Sequence, residues 1–215
     1  MSSLPDADGS APLRDGDHAS GGSAPAPVPA HAPASASAHI APSVAAREVH
    51  IALGANLGDR LGTMRDALHR LAAHPAITVV AASSAWDTAP VGPPDQPRYL
   101  NGAATLATTL APAELLAVLL DVERALGRER TSTRWTARSI DLDIVLFGEY
   151  TVDTPDLAVP HPRFRERAFV LLPLAEIAAS ARDPVTGERV ESLLRACPGR
   201  SDAVRMGPLG EFPAR

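Results

Sequence analysis

The chain has 215 residues, 45% hydrophobic and 21% charged, with a formal net charge of −5. That length favours one domain with a sizeable core, and the net acidity argues against a general nucleic-acid or anionic-membrane surface. A single cysteine, Cys197, excludes an internal disulfide, and no apolar run approaches the roughly 18 residues of a membrane span.

Residues 1–46 are mostly Ala, Pro, Ser, His, Gly and Asp, with no aromatic side chain. Such a composition buries too little apolar surface to offset the entropy of ordering, so a disordered extension is predicted. It has neither the apolar core of a secretory signal nor the arginine richness of a transit peptide, and a cytoplasmic protein is expected.

Order is predicted to begin at Glu48. Val49 to Leu53 reads as a short apolar strand running into the turn-rich Gly54-Ala55-Asn56-Leu57-Gly58-Asp59. Leu61, Met64, Leu68 and Leu71 then recur at helical spacing as far as His74-Pro75. Ile77 to Trp86 reads as a strand, Thr88 to Pro97 as a proline-rich loop, and Tyr99 to Leu110 as a further strand. Pro112 opens a helix whose apolar face carries Leu115, Leu116, Leu119, Leu120 and Val122, and Gly127 closes it. An arginine-rich loop leads to the strand Ile140 to Phe147. Beyond it come a turn region (Glu149 to Val159), a helix from about Arg163 to Ile177, helical character at Val190 to Leu194, and a frayed end from Gly207, giving a core domain over 47–206. The element order βαββαβ predicts an α+β, ferredoxin-like sandwich: an antiparallel four-stranded sheet with two helices on one face, plus C-terminal additions.

The chemistry concentrates in Gly127 to Gly148, where Arg128, Arg130, Arg134 and Arg138 precede Asp141-Leu142-Asp143. Side chains alternate along a strand, so the two aspartates share a face, roughly 6–7 Å apart along the chain. Such a pair can share oxygens with one or two Mg²⁺ ions. Uncompensated, the carboxylates repel each other, and either cations or a structural salt-bridge cluster would relieve the cost. Residues 124–138 hold five arginines against one acid, Glu129, and the planar guanidinium suits phosphate oxygens. Lysine is absent, which excludes a P-loop despite the glycines at 54 and 58. Aromatics number eight (two Trp, two Tyr, four Phe). Tyr99, Trp135 and Phe169 are therefore candidates for holding a flat ligand, with core packing the alternative reading. Asn101, two residues beyond Tyr99, shares its strand face and could pair with the edge of a heterocycle. His161 lies between Pro160 and Pro162 beside Arg163, Arg165 and Arg167, basic neighbours that suit a phosphate contact, with a structural role the alternative reading, whereas His50, His69 and His74 show no metal-like spacing.

Four segments together, GANLGD (54–59), TAPVGPPDQPRYLN (88–101), GRERTSTRWTARSIDLDIVLFG (127–148) and VPHPRFRERAFVLLPLAEI (159–177), resemble the 6-hydroxymethyl-7,8-dihydropterin pyrophosphokinases of the folate pathway. The resemblance spans about residues 48–195 and implies the same sandwich fold. It also implies transfer of the β,γ-diphosphoryl unit of ATP to the pterin hydroxymethyl group, with release of AMP. Asp141 and Asp143 would hold two Mg²⁺ ions and, with Arg138 and Arg130, form the catalytic set. The ATP side would include Glu123, Arg128, Arg130, Arg134, Trp135, Arg138, Ile144, His161 and Arg167. Tyr99 and Phe169 would sandwich the pterin, with Thr88, Val91 and Asn101 reading its edge, and Gly54 and Asn56 would form a structural turn below it. Leu120 and Pro162 depart from polar and aromatic side chains found at matching positions in some members. A monomer acting on small molecules is implied, with no nucleic-acid or membrane partner. A nucleotidyltransferase, which would release pyrophosphate instead of AMP, is a rival reading. A pterin or nucleotide sensor without turnover is another. An RNA-binding sheet would want exposed aromatics, where this strand presents two acids.

Overall fold

The computed structural model describes residues 45–90, 96–128, 138–199 and 202–212. The readings made for 1–44 and for Val91, Arg130, Arg134 and Trp135 lie outside the described residues.

Strand β1 (Arg47–Ala55) runs through the middle of the sheet. Helix α1 (Arg60–Ala73) follows, its start capped by Asp59, whose Oδ1 accepts the Gly62 N–H at 2.9 Å. Next come β2 (Ile77–Ala82), β3 (Ser84–Thr88), β4 (Tyr99–Thr108), α2 (Pro112–Ala125) and β5 (Asp141–Phe147). The antiparallel order is β5-β1-β4-β3, with β2 also pairing β4, so β2 and β3 occupy one position of the predicted four-stranded sheet. Leu53, Met64, Leu68, Leu115, Leu119 and Leu142 form the core beneath α1 and α2.

Four local expectations are corrected. The strand predicted over 77–86 breaks at Ser83, because the Ala103 N–H donates to Ser83 Oγ (2.9 Å) and the Ser84 N–H to Glu176 Oε2 (2.7 Å) in place of ladder partners. The turn region 149–159 contains a small hairpin, β6 (Val152–Asp153) with β7 (Ala158–Val159). The helix predicted from Arg163 is a 3₁₀ turn, Phe164–Glu166, followed by α3 (Ala168–Ala178); Arg167 between them has extended backbone (φ −110°, ψ 98°). With α4 (Val190–Ala196), α3 covers the sheet face opposite α1 and α2, packing Phe164, Leu171, Leu174, Val190 and Leu193 against Ala103 and Val145. Finally, the segment predicted to fray from Gly207 belongs to β8 (Val204–Pro208), which pairs with β3, and Leu209 beyond it is fully buried. Gly102 makes that burial possible: a Cβ there would lie 2.5 Å from Leu209 Cδ1.

Candidate active site

The register lines up three residues across the sheet, since Gly54 of β1 pairs with Asn101 of β4 on one side and Asp141 of β5 on the other. Leu142 and Ile144 belong to the core under α1 and α2, so Asp141 and Asp143 face the opposite side. Gly54 is thus part of the strand instead of the turn that the resemblance implied. A Cβ on it would meet Asn101 Oδ1 at 3.3 Å and Asp141 Cβ at 4.0 Å.

Above this row opens a cavity of roughly 630 Å³, counting its mouth. Thr88, Tyr99, Asn101 and Phe169 supply the walls expected to meet a heterocycle, and Arg138, Asp141 and Arg167 supply charge. Asn101 Nδ2 donates to Thr88 Oγ1 at 2.8 Å, which orients the amide and leaves Oδ1 beside Gly54. Tyr99 donates its hydroxyl to Gln96 Oε1 at 3.1 Å, and burial raises its pKa. The Arg167 guanidinium lies 5.6 Å from the centre of the Phe169 ring. Burial and the neighbouring Arg163 charge lower the Arg167 pKa. The extended backbone at Arg167 replaces the continuous helix predicted there, and both Arg167 and Phe169 line the cavity.

A second cavity, lined by Leu116, Asp143, Ile144, Thr154, Asp156, His161 and Pro162 among others, accounts for two positions expected on the nucleotide side, Ile144 and His161. Within it His161 Nδ1 accepts the Arg163 backbone N–H at 3.1 Å, which assigns the proton of the neutral ring to Nε2. Burial and the Arg167 charge lower the His161 pKa, favouring that neutral form. Arg167, also expected on the nucleotide side, lines the first cavity, as Arg138 does.

Between the cavities the acids are unequally compensated. Arg128 donates to Asp141 Oδ1 at 2.6 Å, and Arg138 pairs with Asp141 Oδ2. No ion pair among the described residues reaches Asp143. Burial, followed by the Asp141 and Glu123 charges, pushes the Asp143 carboxyl up to about 7, against the pull of Arg167 and Arg128. Glu123 is 1% exposed and lines neither cavity. Its Oε1 accepts the Leu142 N–H at 2.7 Å and also pairs with Arg128, and burial raises its pKa. Gly127 makes that pairing possible: at φ 80°, a conformation glycine adopts without a Cβ penalty, it turns the chain so that the Arg128 N–H reaches Glu123 O at 3.0 Å. Asn56 has a part that its sequence position did not show. Its N–H donates to Arg138 O (3.1 Å) and its Oδ1 accepts the Arg138 N–H (2.6 Å), pinning the residue that leads into β5.

A ferredoxin-like sandwich with one carboxylate in an aromatic-walled cavity and a second in a neighbouring cavity of mixed polarity, flanked by arginines, has the build of a phosphotransfer enzyme. Residues 50–179 match the family model of 7,8-dihydro-6-hydroxymethylpterin-pyrophosphokinase (HPPK). The 2-amino-4-hydroxy-6-hydroxymethyldihydropteridine pyrophosphokinase of Pseudomonas aeruginosa is 45% identical over 152 residues, covering 71% of this chain and 93% of that protein. The Bacillus subtilis protein of the same name is 45% identical over 142 residues, covering 66% and 84%. Crystal structures of Plasmodium falciparum HPPK-DHPS share the fold, one with a TM-score of 0.61 at 13% identity over 76% of this chain and 48% of that one. The chain therefore spans about half the length of those structures, and at that identity the likeness concerns the fold alone. The chain belongs to the HPPK family of pyrophosphokinases, which are ATP-dependent diphosphotransferases. No helix among the described residues is long and apolar enough to cross a membrane.

Proposed function

We propose that the protein catalyses the Mg²⁺-dependent transfer of the β,γ-diphosphoryl group of ATP to the hydroxymethyl group of 6-hydroxymethyl-7,8-dihydropterin. The products are the pterin diphosphate and AMP, and the step serves folate biosynthesis. One observation carries the reading: Asp141 and Asp143, two residues apart on one strand, line different cavities, so the reacting ends of two substrates would meet at the pair.

The flat ring would lie between Tyr99 and Phe169, its edge against Asn101, Thr88 and Val91. The adenosine would occupy the cavity at Ile144, and the triphosphate would run past His161 and the arginines at 128, 130, 134, 138 and 167, with Trp135 helping to close the loop. His161 offers Nε2–H as a neutral donor, and Arg138, held at its backbone by Asn56, is fixed where charge develops. Catalysis of this type depends on positioning and charge neutralisation more than on a covalent nucleophile, and Cys197 is buried and lines neither cavity.

The donor set fits magnesium. Among the described residues no group of three or more His, Cys, Asp or Glu is arranged to hold a metal, but Mg²⁺ commonly takes one or two carboxylates and completes its shell with water and substrate phosphate. Burial first, and the Asp141 and Glu123 charges second, raise the Asp143 carboxyl, and a bound cation would favour its ionised form. Two ions held by Asp141 and Asp143 would supply charge neutralisation and activation of the hydroxyl oxygen. The proposal extends to a cytoplasmic monomer acting on small molecules, with no nucleic-acid or membrane partner.

The test is incubation with ATP, Mg²⁺ and the hydroxymethyl-dihydropterin, resolving AMP from ADP and pyrophosphate. Wild-type protein should release AMP, while Asp141→Ala and Asp143→Ala should nearly abolish it without changing the far-UV circular dichroism. Release of pyrophosphate, or no turnover by folded wild type, would overturn the proposal. Near-normal activity in both variants would remove the aspartates from the chemistry.

A further inference from the structure

The heterocycle-binding wall is completed from the far end of the chain. Strand β8 pairs with β3 only from Ser84 to Asp87, so the N–H of Ala89 lies beyond that ladder. Asp202 takes it: Ala89 N–H donates to Asp202 Oδ2 at 2.7 Å. Asp202 is itself held through its backbone, where the carbonyl oxygen accepts Arg98 Nη2 at 2.9 Å. Arg98 in turn pairs with Asp87, whose other oxygen accepts Arg60 Nη1 at 2.9 Å. Leu209, fully buried, anchors the segment from its other side.

Thr88 and Ala89 line the cavity that contains Asp141 and also a neighbouring cavity of roughly 760 Å³. The two share Arg167 and Phe169 as well, and Pro198, Gly199, Asp202 and Ala203 form another wall of the neighbouring one. The C-terminal segment therefore stands directly behind the stretch whose Thr88 hydroxyl orients Asn101.

We propose that Asp202 is a positioning residue for the pterin half of the site: its carboxylate holds Ala89, hence Thr88 Oγ1, hence the Asn101 amide that meets the ring edge. The inference rests on the reaction proposed above. Its effect is confined to one substrate, because the cavity at Asp143 and His161 contains none of these residues.

Asp202→Ala removes the Ala89 acceptor and leaves the Arg98 bond to the backbone carbonyl intact, whereas Asp202→Asn retains an oxygen able to accept the same N–H. In steady-state AMP formation by the full chain, Asp202→Ala should raise KM for the pterin about tenfold, the scale of one hydrogen bond to a charged acceptor. KM for ATP and kcat should stay within about twofold, and Asp202→Asn should restore the pterin KM to within about twofold of wild type. Equal rises in both KM values, an unchanged Asp202→Ala, or an Asp202→Asn as impaired as Asp202→Ala would overturn the assignment. Equilibrium binding of the pterin, read from its own fluorescence, separates this inference from the reaction itself. If wild type forms no AMP yet binds the pterin about tenfold more tightly than Asp202→Ala, the role of Asp202 stands and the reaction falls. If wild type does not bind the pterin, both fall.

Discussion

Alanine at position 54 should separate stability from function. Gly54 lies within β1 and outside the positive-φ glycines, so a Cβ adds no backbone strain, and losing the freedom of glycine in the unfolded chain contributes about 0.4–1 kcal/mol in favour of folding. The new methyl would meet Asn101 Oδ1 at 3.3 Å, a contact tight enough to displace the amide by a few tenths of an ångström, while Asp141 Cβ at 4.0 Å is an ordinary neighbour. Asn101 cannot retreat freely, since its Nδ2 donates to Thr88 Oγ1 at 2.8 Å. The expected loss is one neutral hydrogen bond to the ring edge, about 1 kcal/mol, or roughly fivefold in pterin KM. A thermal melt should show a midpoint unchanged or raised by about 2 °C, and coupled assays of AMP release should find ATP KM and kcat near wild type. A pterin KM equal to wild type would refute the placement of the ring edge against Asn101. A lowered melting point would refute the claim that the strand accepts a side chain there.

Glu123→Ala should destabilise the fold by about 3 kcal/mol, because it leaves the Leu142 amide and one side of Arg128 without their buried acceptor; an unchanged urea midpoint would count against that anchor. Arg138→Ala, which strips Asp141 of one of its two arginines, should slow single-turnover AMP formation by about 100-fold, and an unaltered burst would remove it from the chemistry. Asp183 is fully buried; burial opposes its ionisation, but hydrogen bonds from Arg165, the Thr186 hydroxyl and the Val185 amide outweigh this and lower its pKa. Its folded pKa thus lies below the unfolded value of about 3.9, so its stabilisation is present above that pH and lost as pH falls through the folded value. Asp183→Asn should therefore be less stable than wild type at pH 7 and converge with it in strong acid, and parallel stability curves across that range would exclude Asp183 as the source.

What could be read from the sequence was what short-range pattern encodes. Leu61, Met64, Leu68 and Leu71 announce α1, and the alternation through Asp141, Leu142 and Asp143 places both acids on one face before any fold is known. The features that escaped such reading depend on partners far along the chain. The break at Ser83 is satisfied by Glu176, 92 residues away from the Ser84 amide it accepts. Leu209 is buried only because Gly102 leaves a hole, so its Gly- and Pro-rich surroundings read as a loose end. The bend at Arg167 interrupts an otherwise helical pattern. Phe164 is buried on one side of it and Arg165 is drawn to Asp183 at 2.5 Å, commitments no local periodicity carries. Glu123 sits on a strongly amphipathic helix, where a charge ordinarily faces water; its burial follows from Arg128 and β5 closing over it.

The lodging of Leu209 beneath the sheet has a bearing on how the protein is made. A nascent chain can assemble β1, β4 and β5 with α1 and α2 as soon as β5 has left the ribosome, since those elements complete one another. Strand β3 keeps a bare outer edge until residues 204–209 emerge, and bare edges invite pairing with other chains. Residues 204–209 thus double as a cover for that edge during synthesis, and growing chains stalled between Ala196 and Val204 should be stickier than chains that extend past Leu209.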